Sequence, residues 1–390
     1  MLSSLTNLKL SSNNLTSTIL PSLGNLSNLN TLYLHKNQLS GSIPQELGKL
    51  SSLTNLELPT NNRTGTIPAS LGNLSNLTIL YLHTNQLSSS IPHELGMLSS
   101  LTNLELSRNN LIGTIPASLG NLSNLTTLHL HMNQLSSSIL RELGMLSSLI
   151  DLKLSSNSLT STIIATLGNL SKLTILYLHT NQLSGSIPHE LGMLSSLTGL
   201  ELSSNSLIGT IPSSLGNLSN LNTLYLHKNQ LPGSIPQELG MLSSLISLEL
   251  PTNNLTSIIP ASLGNLSKLT TLHLDENQLF GSIPQELGML SSLTNLELST
   301  NSLTNAILTS LENLTKLTYL YLFSNKLSSS LEINNLTQLK GLHLSYNQFS
   351  DPLPENVCRG ELIGNFTASN NHFIGSMPKS PKNCTSIFRA

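Results

Sequence analysis

The residues of this chain that could do chemistry recur at a fixed spacing. Tyrosine or histidine mostly alternates with glutamate every 24 residues, and a second histidine follows two residues after most of the aromatic positions. Such side chains can bind a metal ion, move a proton or contact a ligand. The set comprises Tyr33, His35, Glu57, Tyr81, His83, Glu105, His129, His131, Tyr177, His179, Glu201, Tyr225, His227, Glu249, His273, Glu297 and Tyr321.

A metal site is the first chemistry that these histidines suggest. His129 and His131 are two residues apart, so on a strand they would share one face, as two metal ligands require. The next histidine of that column would be two strands away, about 10 Å, whereas metal ligands need bonds of about 2 Å. No phosphate-binding loop, H-E-x-x-H motif or kinase catalytic-loop motif is present either. The sequence therefore predicts no metal, no cofactor and no enzyme activity.

The composition argues against two further classes of protein. Only 9% of the 390 residues are charged and the formal net charge is −2, without the basic stripe of a nucleic-acid-binding surface. No apolar run approaches the roughly 18 residues of a membrane-spanning helix. The N-terminus of the chain as given shows no basic segment followed by an apolar one, so no secretory signal is visible.

The fixed spacing reflects an internal repeat. Its consensus, L-x-x-L-x-L-x-x-N-x-L-x-G-x-I-P-x-x-L-G, matches the leucine-rich-repeat pattern. The Leu-x-Leu step predicts a short strand with one buried face, the asparagine amide can bond backbone groups in the turn, and Ile-Pro favours an extended segment. The asparagines are Asn13, Asn37, Asn61, Asn85, Asn109, Asn133, Asn157, Asn181, Asn205, Asn229, Asn253, Asn277, Asn301, Asn325, Asn347 and Asn371.

One repeat cannot fold alone, because about seven inward apolar residues do not offset the entropy lost by the whole repeat. We therefore predict an α/β-type repeat solenoid, a leucine-rich-repeat curved superhelix of about 16 coils with a parallel sheet on the concave face. Residues 1–349 would form the regular array, with one 22-residue coil at 325–347, and residues 350–390 would form degenerate terminal repeats. Arg63 occupies an inward leucine position, and we expect its side chain to turn outward.

The Tyr, His and Glu positions alternate with the buried leucines, so they are predicted to face solvent on the concave strand face. An extended peptide could present basic groups to the glutamates and apolar groups to the tyrosines. Alternatively, tandem duplication copied these surface residues along with the core and left them unused. Positions that depart from the repeat are further candidates, because specificity needs differing neighbours. They are Arg108, Met132, Asp275, Glu276, Phe323 and Tyr346.

Two modifications are suggested by sequence. Glycosylation sequons recur in one slot of every second repeat, at the predicted outer flank, and another occurs near the C-terminal end. Cys358 and Cys384 are one coil plus two residues apart, so they could form a disulfide or remain as two thiols. The predicted glycosylation sites are Asn25, Asn73, Asn121, Asn169, Asn217, Asn265, Asn313 and Asn365.

The repeat resembles a plant-specific class. LSGSIPQELG at 39–48 and LIGTIPASLG at 111–120 carry its L-x-G-x-I-P form. NFTASNNHFIGSMPKSPKNCTS at 365–386 is similar to a segment of plant leucine-rich-repeat receptor-like kinase ectodomains. The resemblance implies perception of peptides or proteins at the cell surface or outside the cell, a co-receptor of the same repeat family, glycosylation, and a kinase behind a membrane span.

The leading interpretation is the ligand-recognition array of such a receptor, or of a kinase-less derivative. Met1 occupies the slot of internal methionines such as Met97, which predicts a fragment without signal peptide, membrane span or kinase. Two alternatives remain open: a secreted inhibitor or decoy of a foreign protein, and a non-functional gene fragment.

Overall fold

Most repeats form one coil with the same order of elements. A three-residue strand leads into the asparagine turn, a short second strand and the extended Ile-Pro step follow, and a 3-10 helix closes the coil. This computed structural model describes residues 4–307, 309–328, 333, 335–353 and 363–376. The chain divides into two units, 1–197 and 198–390. Cys358 and Cys384 lie outside the described residues, and the predicted boundary between residues 349 and 350 stays a prediction.

The first strands of the coils form a parallel sheet in each unit, and each strand pairs with the corresponding strand of the next coil in that unit. This pairing continues across the 22-residue coil. In the described part of the first unit the strands are Asn7–Lys9, Thr31–Tyr33, Asn55–Glu57, Ile79–Tyr81, Asn103–Glu105, Thr127–His129, Asp151–Lys153 and Ile175–Tyr177. In the second they are Gly199–Glu201, Thr223–Tyr225, Ser247–Glu249, Thr271–His273, Asn295–Glu297, Tyr319–Tyr321, Gly341–His343 and Asn365–Thr367. The predicted repeat solenoid with a parallel sheet is confirmed.

The second strands are two to five residues long and pair in small parallel groups. In the first unit they are Ser40–Gly41, Asn62–Arg63, Ser88–Ser89, Asn110–Gly113, Gln134–Ser138, Ser158–Thr160 and Ser184–Gly185. In the second unit they are Ser206–Leu207, Pro232–Gly233, Asn254–Ser257, Gln278–Gly281, Ser302–Asn305 and Lys326–Leu327.

Thirteen coils contain a five-residue 3-10 turn in the described ranges, and no α-helix occurs there. Proline before the turn is extended, as predicted; Pro92 has φ −64° and ψ 135°. The turns of the first unit are Pro21–Asn25, Gln45–Lys49, Ala69–Asn73, His93–Met97, Ala117–Asn121, Arg141–Met145, Ala165–Asn169 and His189–Met193. Those of the second are Ser213–Asn217, Gln237–Met241, Ala261–Asn265, Gln285–Met289 and Thr309–Asn313.

The core of a regular coil is a ring of seven apolar side chains, as the consensus predicts. Each is at most 3% exposed, and contact with the coils on both sides completes the burial that a single repeat lacks. In the coil that contains the fourth strand they are Leu77, Leu80, Leu82, Leu87, Ile91, Leu95 and Leu98.

The asparagine side chain of a regular turn bonds its own coil and the coil before it. Asn109 Nδ2 donates to the carbonyl oxygens of Leu82 and Leu106 at 3.1 Å each, and Asn109 Oδ1 accepts from the amide of Leu87 at 2.9 Å. The ladder continues past the short coil, where Asn347 Oδ1 accepts from the amide of Leu327 at 3.0 Å. The predicted role of asparagine is confirmed, since buried backbone groups need such partners.

The glycine of the Leu-Gly step has a role that the consensus alone did not reveal. A Cβ on Gly120 would lie 2.4 Å from the backbone oxygen of Glu142 in the next coil. The 3-10 turns therefore stack at a separation that only glycine allows at this position.

The prediction for Arg63 was wrong. Its side chain is 0% exposed, because the position lies between coils whose equivalent residues Leu39 and Leu87 are themselves buried. Its Nη1 donates to the backbone oxygens of Ser40 and Gly41, while Nε and Nη2 have no partner in the described structure. Burial lowers the pKa of the guanidinium to about 10.

Candidate ligand-binding face

The predicted binding residues all lie on the first strands or directly after them, and each is half-buried. The leucine between any two of them on a strand is buried. We call the surface formed by the Tyr, His and Glu residues named at the outset the strand face of each unit. The structure thus places these residues on the strands as the sequence predicts, and their role in binding stays a prediction.

Aromatic and acidic side chains are directly opposite one another on the strand face. In the first unit, Tyr33 is in register with Glu57, and Glu57 with Tyr81. In the second unit, Glu249 is in register with His273, which is in register with Glu297. Glu57 thus lies between two tyrosines, and His273 lies between two glutamates.

Histidine and glutamate also contact each other between coils, which sequence reasoning missed. His35 Nδ1 lies 3.3 Å from Glu57 Oε2, and His227 Nδ1 lies 3.7 Å from Glu249 Oε2. These contacts become ion pairs when the histidine is protonated. The sequence separation between the partners is the same in both pairs, and this recurrence is the signal that could have revealed them.

Lysine replaces glutamate on two strands of the first unit and provides a cation there. Lys153 Nζ lies 2.9 Å from Asp151 Oδ2 and 5.6 Å from the centre of the Tyr177 ring. His129 Nε2 contacts the same carboxylate oxygen at 2.9 Å. Burial raises the pKa of Asp151, but the hydrogen bonds from His129 and Lys153 outweigh it and hold the pKa below its usual value. Burial, with His129 and Lys153 nearby, lowers the pKa of His131 to about 4.

The second unit contains the opposite arrangement, an excess of carboxylates. Burial first, and then the charges of Asp275 and Glu276, raise the pKa of Glu297 to about 7. Burial also raises the pKa of Asp275 to about 6, although a hydrogen bond to its own backbone opposes the shift. Glu276 accepts a hydrogen bond from the hydroxyl of Thr252 at 2.8 Å. In this part of the sheet, the two carboxyl groups of Asp275 and Glu297 thus have pKa values above their ordinary values.

We expect the substitution Glu297→Gln to stabilise the chain above neutral pH. The pKa of Glu297 in the folded chain exceeds the ordinary value of 4.5. The protonated carboxyl group therefore contributes a stability that is fully present below about pH 4 and is lost as the pH rises through about 7. Removing the charge should raise the free energy of unfolding by about 1–2 kcal/mol at pH 8, after allowance for solvent screening, and by little at pH 4. Urea unfolding at both pH values measures this. Glu57→Gln, which removes a carboxylate that contacts His35, should show no such gain; equal gains would contradict the assignment.

The seven recurring sequon asparagines occupy one slot on the coil surface. Each is the last residue of a 3-10 turn and each is exposed. Asn365 is also exposed, but it begins the strand Asn365–Thr367 and so lies on the sheet rather than at the predicted outer flank.

Two further kinds of site are absent from the described ranges. No group of three or more His, Cys, Asp or Glu side chains there is arranged to hold a metal ion. The helices of the same ranges are all too short, or not apolar enough, to cross a lipid bilayer.

Comparison with known proteins identifies the family. Leucine-rich-repeat family models match residues 219–279 and also 4–26, 28–50, 76–98, 100–122, 172–194, 196–218 and 338–359, together more than half of the chain. The chain belongs to the leucine-rich-repeat family. No match is found among curated proteins.

Solved leucine-rich-repeat structures are similar over almost the whole chain. The plant peptide hormone receptor RGFR1 in complex with RGF2 is 37% identical, with a TM-score of 0.91, 99% of this chain covered and 66% of that chain. The Arabidopsis receptor kinase HAESA, in complex with the peptide hormone IDA and the co-receptor SERK1, is 33% identical, with a TM-score of 0.92, 97% of this chain covered and 64% of that chain. A leucine-rich-repeat protein of Leptospira interrogans is 33% identical, with a TM-score of 0.75, 95% of this chain covered and 92% of that chain.

The resemblance to plant leucine-rich-repeat receptor kinase ectodomains is thereby confirmed. Such ectodomains are extracellular and their repeat fold is typically non-catalytic. This leucine-rich-repeat chain spans slightly less than two thirds of the length of the two plant ectodomains, 66% and 64%.

Proposed function

We propose that the strand face is the recognition surface of an extracellular, receptor-type ectodomain and that its ligand is an extended peptide. One observation carries this proposal: aromatic, imidazole and carboxylate side chains stay half-exposed in register along the sheet, while the leucines between them are buried. Tyrosine supplies a large contact area at low entropic cost, and successive strands offer an extended peptide a series of equivalent subsites.

The plant ectodomains support the choice of partners. The receptors RGFR1 and HAESA were solved in complex with RGF2 and with the peptide hormone IDA, respectively, and the HAESA complex includes the co-receptor SERK1. By extension, a peptide ligand and a co-receptor of the same repeat family are the partners proposed for this chain, at the cell surface and without catalysis by the repeats themselves.

N-glycosylation at the seven recurring sequons belongs to the same proposal. These asparagines are exposed at the ends of the 3-10 turns and not on the first strands. Glycans at that slot would leave the strand face accessible to a ligand.

The test is a binding screen with the full chain, produced as a secreted protein, against synthetic peptides of about 12–15 residues, a length that spans several strands in extended form. The double substitution Tyr225→Ala and Glu249→Ala should weaken binding of any selected peptide at least tenfold. The control, Met241→Ala with Met289→Ala, changes two exposed side chains on the 3-10 turns and should leave binding unchanged. The proposal is wrong if the control variant loses binding and the strand-face variant does not. Capture of a foreign enzyme in place of a peptide would favour an inhibitor or decoy.

A further inference from the structure

The series of histidine–glutamate contacts on the strand face is interrupted at one coil of the second unit. Glu57 and Glu249 each contact the histidine that follows the first strand of the preceding coil. The residue at that position before Glu297 is Asp275. A carboxylate therefore replaces the imidazole that other coils provide, and the charge of Asp275 disfavours the ionisation of Glu297.

No basic side chain in the described structure compensates for this replacement. His273 Nε2 lies 3.9 Å from Glu297 Oε2, but burial lowers the pKa of His273, so the imidazole is neutral near pH 7. Asp275 Oδ1 is buried, and the described residues offer it no hydrogen-bond donor. The carboxylates of Asp275 and Glu297 thus form a negative site whose counter-charge is missing.

Aromatic side chains form the other wall of this site. A pocket of about 200 Å³ is lined by His273, Asn295, Leu296, Glu297, Tyr319 and Tyr321. The Tyr321 ring stacks on His343 with ring centres 4.3 Å apart. The next strand leaves room for both tyrosines because residue 341 is glycine, where a Cβ would lie 2.9 Å from Tyr319 Cδ1. The pocket therefore combines carboxylate and aromatic walls, both of which attract organic cations.

In the first unit, a lysine of the chain itself provides the cation between a carboxylate and a tyrosine ring. There, Lys153 is in register with Tyr177, and its ammonium lies between the ring, 5.6 Å away, and the Asp151 carboxylate at 2.9 Å. In the second unit, Glu297 is the residue in register with Tyr321. The carboxylate and the ring are both present, but the cation has to come from another molecule.

We propose that the pocket of Glu297 and Tyr321 binds the cationic side chain of a lysine or arginine in the peptide ligand. The ammonium or guanidinium pairs with the Glu297 carboxylate and lies against the Tyr321 ring. This inference rests on the proposed function, since a peptide bound along the strand face supplies the cation. A divalent metal fits less well, because the described residues hold no cluster of three metal ligands and the tyrosine rings contribute none.

The test uses the full chain labelled with ¹³C in its tyrosine rings and three blocked tripeptides: acetyl-Gly-Arg-Gly-amide, acetyl-Gly-Lys-Gly-amide and acetyl-Gly-citrulline-Gly-amide. At pH 7.5 the ring signals of Tyr319 and Tyr321 should shift saturably with the arginine or lysine peptide, whichever cation fits, and not with neutral citrulline. Glu297→Gln should weaken that binding about 10-fold to 100-fold, as expected for a hydrogen bond to a charged group. Glu57→Gln, at the same position of a coil whose carboxylate contacts His35, should leave the shifts unchanged.

A pH titration provides a second readout that does not depend on a variant. The charged and titratable groups around Glu297 are Glu249, His273, Asp275 and Glu276 from the preceding coils, with Tyr319 and Tyr321 from the following strand. Lowering the pH to 5 protonates the two carboxylates and should abolish the shifts.

Several results would overturn the inference. They are equal shifts with citrulline, binding that survives Glu297→Gln, and a site occupied by added Ca²⁺ and emptied by a chelator. Failure of the inference is distinguishable from failure of the proposed function. Peptides selected in the screen could still depend on Tyr225 and Glu249 when the tripeptides fail, and the tripeptides could bind although no longer peptide is selected.

Discussion

The substitution Gly120→Ala should lower the free energy of unfolding by about 2–4 kcal/mol, because the new methyl group has no free space. It would lie 2.4 Å from the backbone oxygen of Glu142, and a backbone atom cannot move aside as a flexible side chain can. Relief would require the two 3-10 turns to separate, which would loosen the leucines packed beneath them. Urea unfolding followed by circular dichroism measures the loss as a lower midpoint at unchanged slope.

The matched control is Gly113→Ala in the same coil. Gly113 has φ +78°, but an added Cβ would approach nothing closer than Ser90 Cβ at 3.6 Å. Neighbouring coils place Ser89 and Ser137 at this position with φ 69° and 73°. Only the left-handed backbone penalty of about 1–2 kcal/mol remains. Equal losses in the two variants would show that contact between coils is not what requires glycine at position 120.

The substitution Arg63→Leu should raise the free energy of unfolding by about 2–4 kcal/mol. The guanidinium is buried, two of its nitrogens lack partners in the described structure, and no carboxylate is bonded to it there. Leucine restores the side chain found at the equivalent positions 39 and 87, both buried. The loss of the Arg63 hydrogen bond to the backbone oxygen of Ser40 opposes this gain only in part.

Chemical unfolding of the variant against the parent chain tests this expectation. Arg141→Leu is the matched control, because the side chain of Arg141 is 84% exposed and its replacement should change stability by less than about 0.5 kcal/mol. A less stable Arg63→Leu chain would mean that the buried guanidinium contributes to folding through contacts that outweigh its desolvation.

Most of the coil could be predicted from sequence because its determinants are local. Leu-x-Leu specifies a strand with one buried face, Ile-Pro an extended step, and a single asparagine such as Asn109 satisfies backbone groups that leave the strand. The requirement for glycine at position 120 could not be predicted, since it depends on the distance between two turns, which only the stacked structure defines.

The strand positions of the candidate residues could be predicted from sequence, but their contacts could not. Alternation placed Tyr177 and Glu249 on the strand face without knowledge of any contact. The sequence alone does not determine whether the long side chain of Arg63 points inward or outward, because this depends on the packing of the neighbouring coils. The site beside Glu297 depends on three departures from the repeat: Asp275 raises the pKa of Glu297, Tyr319 lines the pocket, and Gly341 leaves room for the tyrosines. Only the pairing of the strands brings these three residues together.

The contacts between histidine and glutamate also bear on how such an array grows. His35 and Glu57 belong to adjacent coils of different kinds, so a copied segment of one coil would put two like coils side by side and separate the partners. A segment of two coils can be inserted or deleted while each histidine that contacts a glutamate keeps this partner and each strand keeps its register. Gene duplication in steps of two coils is therefore the route by which this protein can change length without disturbing its surface chemistry.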